Sequence, residues 1–427
     1  MPMYDKILFH LDNDYTEPIR DPIWKHIYLS DALAKIVSLK PFQDLNDIKQ
    51  LGPAYLVYPG ATHTRLAHSL GTFHTAKRII YGLLGKGGGD VFTFEGVKAF
   101  FAAALLHDLG HYPYAHALKN LGVRDHEELT GEIVLEKPVF EVLKNDLKVA
   151  PRLVASIVDT SLPVKDNEEI SIYRKLLSGV LDPDKLDYLN RDAFCCGVPY
   201  GIQDVDFFLS EIIFDRQNGF ALSQKGLTAV ENILFSKYLM YKTVYWHKTV
   251  RIATAMIKKA LFLAVENNIF PREKLYHLTD TSFLQLLASY QYPPLELIGE
   301  VFSRQLYKQV ALFPFDPHNR SHSELEDLST CRKKEAAFSR ELQVMAKRPV
   351  GEHDVIIDLP ERISFEIDLP IALPDGLVSF KHAGSVFRPE TVTAFTESLR
   401  YIRVYVRNDE NLLLQAQKIC LESGLQL

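Results

Sequence analysis

Four histidines and two aspartates in this chain have the types and spacing to hold a metal ion. His68 lies in Arg65-Leu66-Ala67-His68-Ser69-Leu70-Gly71, and His107-Asp108 closes the apolar run from Phe100 to Leu106. His111 and His116 follow shortly after, and Asp184 stands far downstream in Asp182-Pro183-Asp184-Lys185. A single histidine ending a buried helix is more often a satisfied core residue than a ligand. His107-Asp108 changes that reading, because an ionised carboxylate buried without a partner costs several kcal/mol and a cation is its natural partner. His68 adds an imidazole from a separate helix, and Asp184 a carboxylate from a third. Two imidazoles and two carboxylates suit a borderline-hard divalent ion such as Mn²⁺, Fe²⁺, Ni²⁺ or Zn²⁺. Ligands from distant positions also leave coordination positions open, as a catalytic metal requires.

Helices must position these groups. From about residue 20 to about residue 310 the pattern is mainly helical. Apolar spacing predicts helices over Asp31 to Leu39, with Ser30 as N-cap, and over His68 to Leu84, ending at Gly85. Val97 to His107 is apolar nearly all round, the mark of a buried helix. His126 to Glu136, Pro151 to Thr160, Ile172 to Leu181 and Asp204 to Phe214 read as further helices. Leu227 to Asn267 reads as the longest helical tract, and Phe220 to Leu222 as a short hairpin edge. Val355 to Leu359, Ile363 to Ile367 and Tyr401 to Val406 read as strands bounded by Pro, Gly or Asp, and Asn411 to Glu422 as a closing amphipathic helix. The expected organisation is mainly α: an all-α stretch over 1–315, a linker or charged helix over 316–352, and a small α+β domain over 353–427.

At 427 residues the chain has room for two or three domains of about 150 residues each. Charged residues at 24% and apolar residues at 47% are ordinary globular usage and can build a large core. A formal charge of −6 and a pI near 6.2 argue against a protein that coats nucleic acid, so nucleic-acid binding is not indicated. The cysteines, Cys195, Cys196, Cys331 and Cys420, form no CxxC pair, which suits a reduced cytosolic protein. The N-terminal Met1 to Lys6 lacks the basic region and apolar run of a secretory signal, and no stretch of about 18 apolar residues offers a membrane span. A cytoplasmic protein without membrane contact is expected.

Four segments, taken in order, resemble those of a known family. Thr64 to Gly71, His107 to His116, Asp184 to Asp192 and Tyr241 to Arg251 are similar to the motifs of the HD superfamily of metal-dependent phosphohydrolases. Within it they resemble the deoxynucleoside triphosphate triphosphohydrolases, the dGTPase-like branch, over roughly residues 50 to 260. The resemblance implies an HD-domain helical core, a homo-oligomer, and a divalent ion (Mg²⁺ joins the candidates) held by His68, His107, Asp108 and Asp184. It also implies that Arg65, Lys185 and Lys248 face a triphosphate, where fixed positive charge offsets the anion. Tyr188, Asp192 and Tyr245 would hold the sugar, and His111, His116 and His126 would handle protons near neutrality. The implied reaction is hydrolysis of a deoxynucleoside triphosphate (dNTP) to the deoxynucleoside and inorganic triphosphate. Two alternatives stay open: an HD phosphohydrolase or phosphodiesterase acting on another nucleotide, and a nucleotide-binding regulator with weak or lost hydrolysis.

The chain departs from the family pattern at two positions. Lys119 stands three residues after His116, where the family often carries a carboxylate that orients that imidazole or activates water. A lysine there lowers the proton affinity of His116 by like-charge repulsion, and Asp125, Glu127 and Glu128 are the nearby carboxylates that could substitute. Trp246 stands where some relatives carry a polar residue near the base, so base preference does not transfer. Three other features have plainer readings. Gly85 to Asp90 lacks the GK[ST] ending and preceding strand of a phosphate loop, His353-Asp354 precedes a strand, and Cys195-Cys196 suits small packing residues.

Overall fold

The computed structural model describes residues 2–164, 167–363, 365 and 369–423, and its fold is mainly α with small sheets. Polar side chains start the helices that carry the site. Thr93 accepts the Gly96 amide at 2.9 Å to begin Phe94–Leu106, Asp125 accepts the Glu127 amide at 3.0 Å to begin His126–Leu135, and Asp182 accepts the Lys185 amide at 2.6 Å to begin Pro183–Cys196. Pro183 suits the first turn of the last of these, and Gly197, with φ of 67°, ends it in the left-handed region. Ser30 precedes Asp31–Val37 as expected, but its side chain makes no capping bond.

Phe94–Leu106 is buried continuously from Gly96 onward, so it forms the centre of the helical core. Arg65–Leu84 packs on it and, on another face, against Pro183–Cys196. Gly71 makes the second approach possible: a Cβ there would stand 1.8 Å from Asp187 Oδ1. Gly110 does the same for the loop after His107, since a Cβ would lie 2.1 Å from the His126 carbonyl oxygen. Thr130 ties that loop down, accepting the Gly110 amide at 2.8 Å and donating to the His107 carbonyl at 3.0 Å.

Strands appear where a wholly helical stretch was expected. Glu17–Asp21 and Lys25–Leu29 form a hairpin. The helix expected to reach Phe214 stops at Glu211, because the β-branched and aromatic Ile212-Ile213-Phe214 pairs with Gly219–Ser223 across a turn in which Asp215 accepts the Asn218 amide. Phe220 to Leu222 is therefore not an edge: Leu222 pairs in parallel with Ile371, and the strand order is Ile212–Asp215, Gly219–Ser223, Pro370–Leu373, Gly376–Ser379. In a second sheet Tyr401–Val406 is central between Lys308–Pro314 and Val355–Asp358. Segments from both sides of residue 315 thus share two sheets, and the stretch before it is mainly α rather than all-α. The expected strand from Ile363 to Ile367 lies mostly outside the described residues.

The long tract after Leu227 is two helices, Leu227–Met240 and Lys248–Glu266, separated by a π turn over Tyr241–Tyr245. The segment expected as a linker or charged helix holds Leu328–Ala346, which buries Phe338 and Leu342 against Val404, Val406 and the helix Glu410–Ser423. The opposite sheet face buries Ile356 and Tyr405 with Met256 of Lys248–Glu266, which explains why these strands carry apolar residues at consecutive positions. No helix among the described residues is long and apolar enough to cross a membrane.

Two buried ion pairs join the sheet to the helical core. Asp358 receives a two-pronged Arg251 guanidinium, and Lys259 pairs with Glu335, whose other oxygen accepts the Ile357 amide at 2.8 Å. Lys259 and Glu335 side chains are 4% and 5% exposed, so removing one leaves a buried, unpaired charge. Glu335→Ala should lower unfolding free energy by about 3–5 kcal/mol in denaturant titration. The double variant Lys259→Met with Glu335→Leu should recover most of that loss, and equal destabilisation of the two variants would contradict it.

Candidate metal centre

His68 and Asp184 meet across the packed helices Arg65–Leu84 and Pro183–Cys196, with His68 Nε2 2.8 Å from Asp184 Oδ1. His107, which caps the C-terminus of Phe94–Leu106, brings its Nε2 to 3.8 Å from the same oxygen and 3.4 Å from Asp108 Oδ1. Bonds of about 2.1 Å at right angles separate neighbouring donors by about 3 Å, so these spacings suit one ion. The state of His107 supports that fit. Its Nδ1 donates to the Ala104 carbonyl at 2.9 Å, which turns Nε2 into a lone pair, and Nε2 is buried with no hydrogen-bond partner. A cation there would satisfy that nitrogen together with Asp184. The field already favours positive charge: burial opposes a proton on His68, yet Asp184 and Asp187 outweigh it and raise the imidazole to about 10.

Asp187 orients His68 by accepting Nδ1–H at 2.8 Å, which leaves Nε2 for the ion. It is itself clamped: Arg191 donates to both its oxygens at 2.8 Å, and Trp24 Nε1 donates at 2.6 Å. Arg191 reaches on to Asp21 at 2.8 Å, so the N-terminal hairpin takes part. Burial alone would protonate Asp187; Arg191 and His68 instead hold it well below the usual carboxylate range.

Asp108 joins a second cluster. Its Oδ2 accepts Arg65 at 2.7 Å, and its Oδ1 lies 3.0 Å from His111 Nδ1. The His111 and His126 rings lie 3.9 Å apart, and His111 Nε2 is 3.3 Å from His116 Nε2. Burial, then the Arg65 charge, push His111 down to about 3, and burial with His111 pushes His126 down to about 2. His116 is exposed at the edge of the cluster. Lys119, also exposed, puts its ammonium 3.9 Å from Asp125, which lies 3.2 Å from His126 Nδ1. Of the alternative carboxylates, Asp125 is thus the one in contact with the histidines. His68, His107 and Asp184 form one group able to hold a metal, whereas Asp108, expected with them, falls with His111 and His126 in a second and reaches the first through His107.

The remaining expected residues fall unevenly. Arg65 points at Asp108, and Lys185 donates to the Gly179 carbonyl at 2.8 Å and to Asp182 at 2.5 Å. Tyr188 stands over His68 with ring centres 6.5 Å apart. Asp192 accepts the Tyr245 hydroxyl at 2.7 Å, and Tyr245 packs edge-on to Tyr241. Lys248 is exposed in the first turn of its helix. Sequence reasoning missed Asp187, Arg191, Trp24 and His63, the last lying 2.8 Å from Asp192. Asp187 and Arg191 carried a usable signal, three and seven residues after Asp184 on one helical face. His63, in a loop, carried none.

Residues 204–409 match the family model for the HD associated region. An uncharacterized protein of Methanocaldococcus jannaschii is 32% identical over 303 residues, which span 70% of this chain and 60% of that protein, so the chain covers less than two thirds of its length. The deoxynucleoside triphosphate triphosphohydrolase SAMHD1 of Homo sapiens is 26% identical over 477 residues, spanning 97% of this chain and 74% of that protein. The crystal structure of a hypothetical protein from Aquifex aeolicus shares the fold with a TM-score of 0.71 at 27% identity, over 94% of this chain and 98% of that one. These likenesses support an HD-domain protein that is similar to the deoxynucleoside triphosphate triphosphohydrolases.

Asp187 touches no expected ligand position except through His68. Asp187→Asn should therefore weaken Mn²⁺ binding about 10–100-fold by calorimetric titration. Unchanged affinity would show that His68 does not depend on this support.

Proposed function

We propose that the chain is a metal-dependent phosphohydrolase that cleaves dNTPs to the deoxynucleoside and inorganic triphosphate. The convergence of His68, the unpartnered His107 Nε2 and Asp184, with Asp108 beside His107, carries the reading, and the likeness to SAMHD1 supports the substrate class. These four residues would hold a divalent ion, which when bound would polarise a phosphorus–oxygen bond and acidify a water.

The chain's own groups supply the rest. Arg65 fixes one Asp108 oxygen and leaves the other toward His107 and His111, so the carboxylate keeps its orientation. Desolvation in the cluster holds His111, His116 and His126 neutral at pH 7, against the expectation of proton affinities near neutrality. The packed imidazoles would therefore relay a proton toward the departing sugar oxygen without storing it, with His116, exposed at the edge, as the link to solvent. Lys248 would meet the distal phosphates, whereas Lys185, engaged with Asp182 and Gly179, would act on the triphosphate from that anchored position. Tyr188 beside His68 would press its face against the sugar and disfavour a 2′-hydroxyl by packing.

One observation favours a second reading, a nucleotide-binding regulator with slow or lost hydrolysis. Lys119 brings an ammonium to Asp125, beside the proton-handling cluster, where a carboxylate is usual in the family.

The test is incubation of the full chain and Mn²⁺ with each of the four dNTPs, with products resolved by ion-exchange chromatography. Deoxynucleoside and inorganic triphosphate in equal amounts are expected. His107→Ala and Asp184→Ala should each lose more than the about 10–100-fold typical of an outer-shell partner. Release of only monophosphate or orthophosphate would contradict the triphosphohydrolase reading. Tight dNTP binding without turnover, restored by Lys119→Glu, would select the regulator.

A further inference from the structure

We propose that His63 is a positioning residue of the sugar-binding wall, holding Asp192 and, through it, the Tyr245 hydroxyl so that Tyr245 can only accept a hydrogen bond from the substrate. The inference rests on the reading above, in which Asp192 and Tyr245 face the sugar.

Three elements meet here: the loop before Arg65–Leu84, the helix Pro183–Cys196, and the π turn Tyr241–Tyr245. The His63 and Asp192 side chains are 6% and 2% exposed, with His63 Nε2 2.8 Å from Asp192 Oδ1. Tyr245 donates to the other oxygen, Oδ2, at 2.7 Å. A carboxylate has no hydrogen to give, so Nε2 must donate and Tyr245 must spend its single hydrogen on Asp192. Toward anything else, Tyr245 then presents only lone pairs. The partner it selects is a donor, such as a sugar hydroxyl.

His63 sets this polarity. Without a donor at Nε2, Asp192 Oδ1 would be left buried and unpaired, and the carboxylate could turn away from the Tyr245 hydroxyl. The Nε2–H of His63 fixes the carboxylate plane and with it the direction of the phenolic hydrogen. The titratable groups facing His63 are Asp192 and Cys195 of the helix; Tyr245 sits on the far oxygen of Asp192, and Cys196 is next along the helix. Burial opposes charge on His63, but Asp192 and Cys195 outweigh it and raise the imidazole from 6.5 to about 9. With the folded value raised, the interaction is complete below the ordinary value of 6.5 and is lost as pH climbs through about 9.

The experiment measures KM, kcat and dialysis binding of the full chain with Mn²⁺, for dNTPs and their 2′,3′-dideoxy counterparts. The wild type should prefer the 3′-hydroxyl form by about tenfold or more, because the dideoxy sugar leaves Tyr245 unpaired. His63→Ala should raise KM about 10–100-fold, change kcat much less, and lose the preference. His63→Gln, whose amide can still donate to Asp192, should recover most of the affinity and lack the wild-type loss of affinity near pH 9. It also serves if the alanine variant does not fold. On a Tyr245→Phe background, His63→Ala should add little. Wild-type affinity and full preference in His63→Ala, or equal losses in kcat and KM, would overturn the role of His63 alone. A wild type that neither binds nor turns over any dNTP would overturn the substrate reading and this inference with it.

Discussion

The centre depends on one buried carboxylate. Asp187 touches no expected substrate group, yet it takes hydrogen bonds from His68, from two nitrogens of Arg191 and from Trp24. Keeping it ionised inside the core requires the Arg191 charge, and Arg191 in turn needs Asp21 for its remaining prong. The network runs through Gly71, where nothing larger than hydrogen fits between the helices. With Asp187 immobilised, His68 has one orientation, its Nε2 faces Asp184, and the C-terminal end of Phe94–Leu106 supplies the rest. The N-terminal hairpin is thereby a part of the site through Asp21, although it contributes no ligand.

The second half of the chain positions Tyr245, to which the proposed function gives the sugar. A continuous α-helix from Leu227 to Glu266 would carry Tyr241 and Tyr245 around its axis in regular steps. The π turn inserts an extra residue and lets the Tyr245 hydroxyl reach Asp192. The following helix is held by Arg251 on Asp358 and by Lys259 on Glu335, so the sheet that includes Tyr401–Val406 braces the same helix that begins at Lys248. Residues far apart in sequence brace one helix because the sheet and the helical core meet on it.

What could be read from sequence divides along physical lines. The buried helix before His107 was legible from its unbroken apolar run, and the Asp that follows marked a group that is costly without a partner. The β-branched runs at Val355 and Tyr401 were legible for their period and bounding residues. The hairpin at Glu17–Leu29 and the strands at Ile212 and Lys308 were not, since short strands completed by distant partners carry little local signal. The break at Tyr241–Tyr245 contains no Gly or Pro and so gave no warning. Arg65 and Lys185 have the type of phosphate ligands, but type could not reveal that Asp108 and Asp182 also engage them. His63 was invisible because its partner lies 129 residues away.

The central claim is that His68, His107, Asp108 and Asp184 share one divalent ion. Anomalous diffraction at the manganese edge, from crystals of the full chain grown with Mn²⁺, tests it most directly. A strong peak within bonding distance of His68 Nε2, His107 Nε2 and carboxylate oxygens of Asp108 and Asp184 is expected. A peak only among Asp108, His111 and His126, or none at either group, would contradict it.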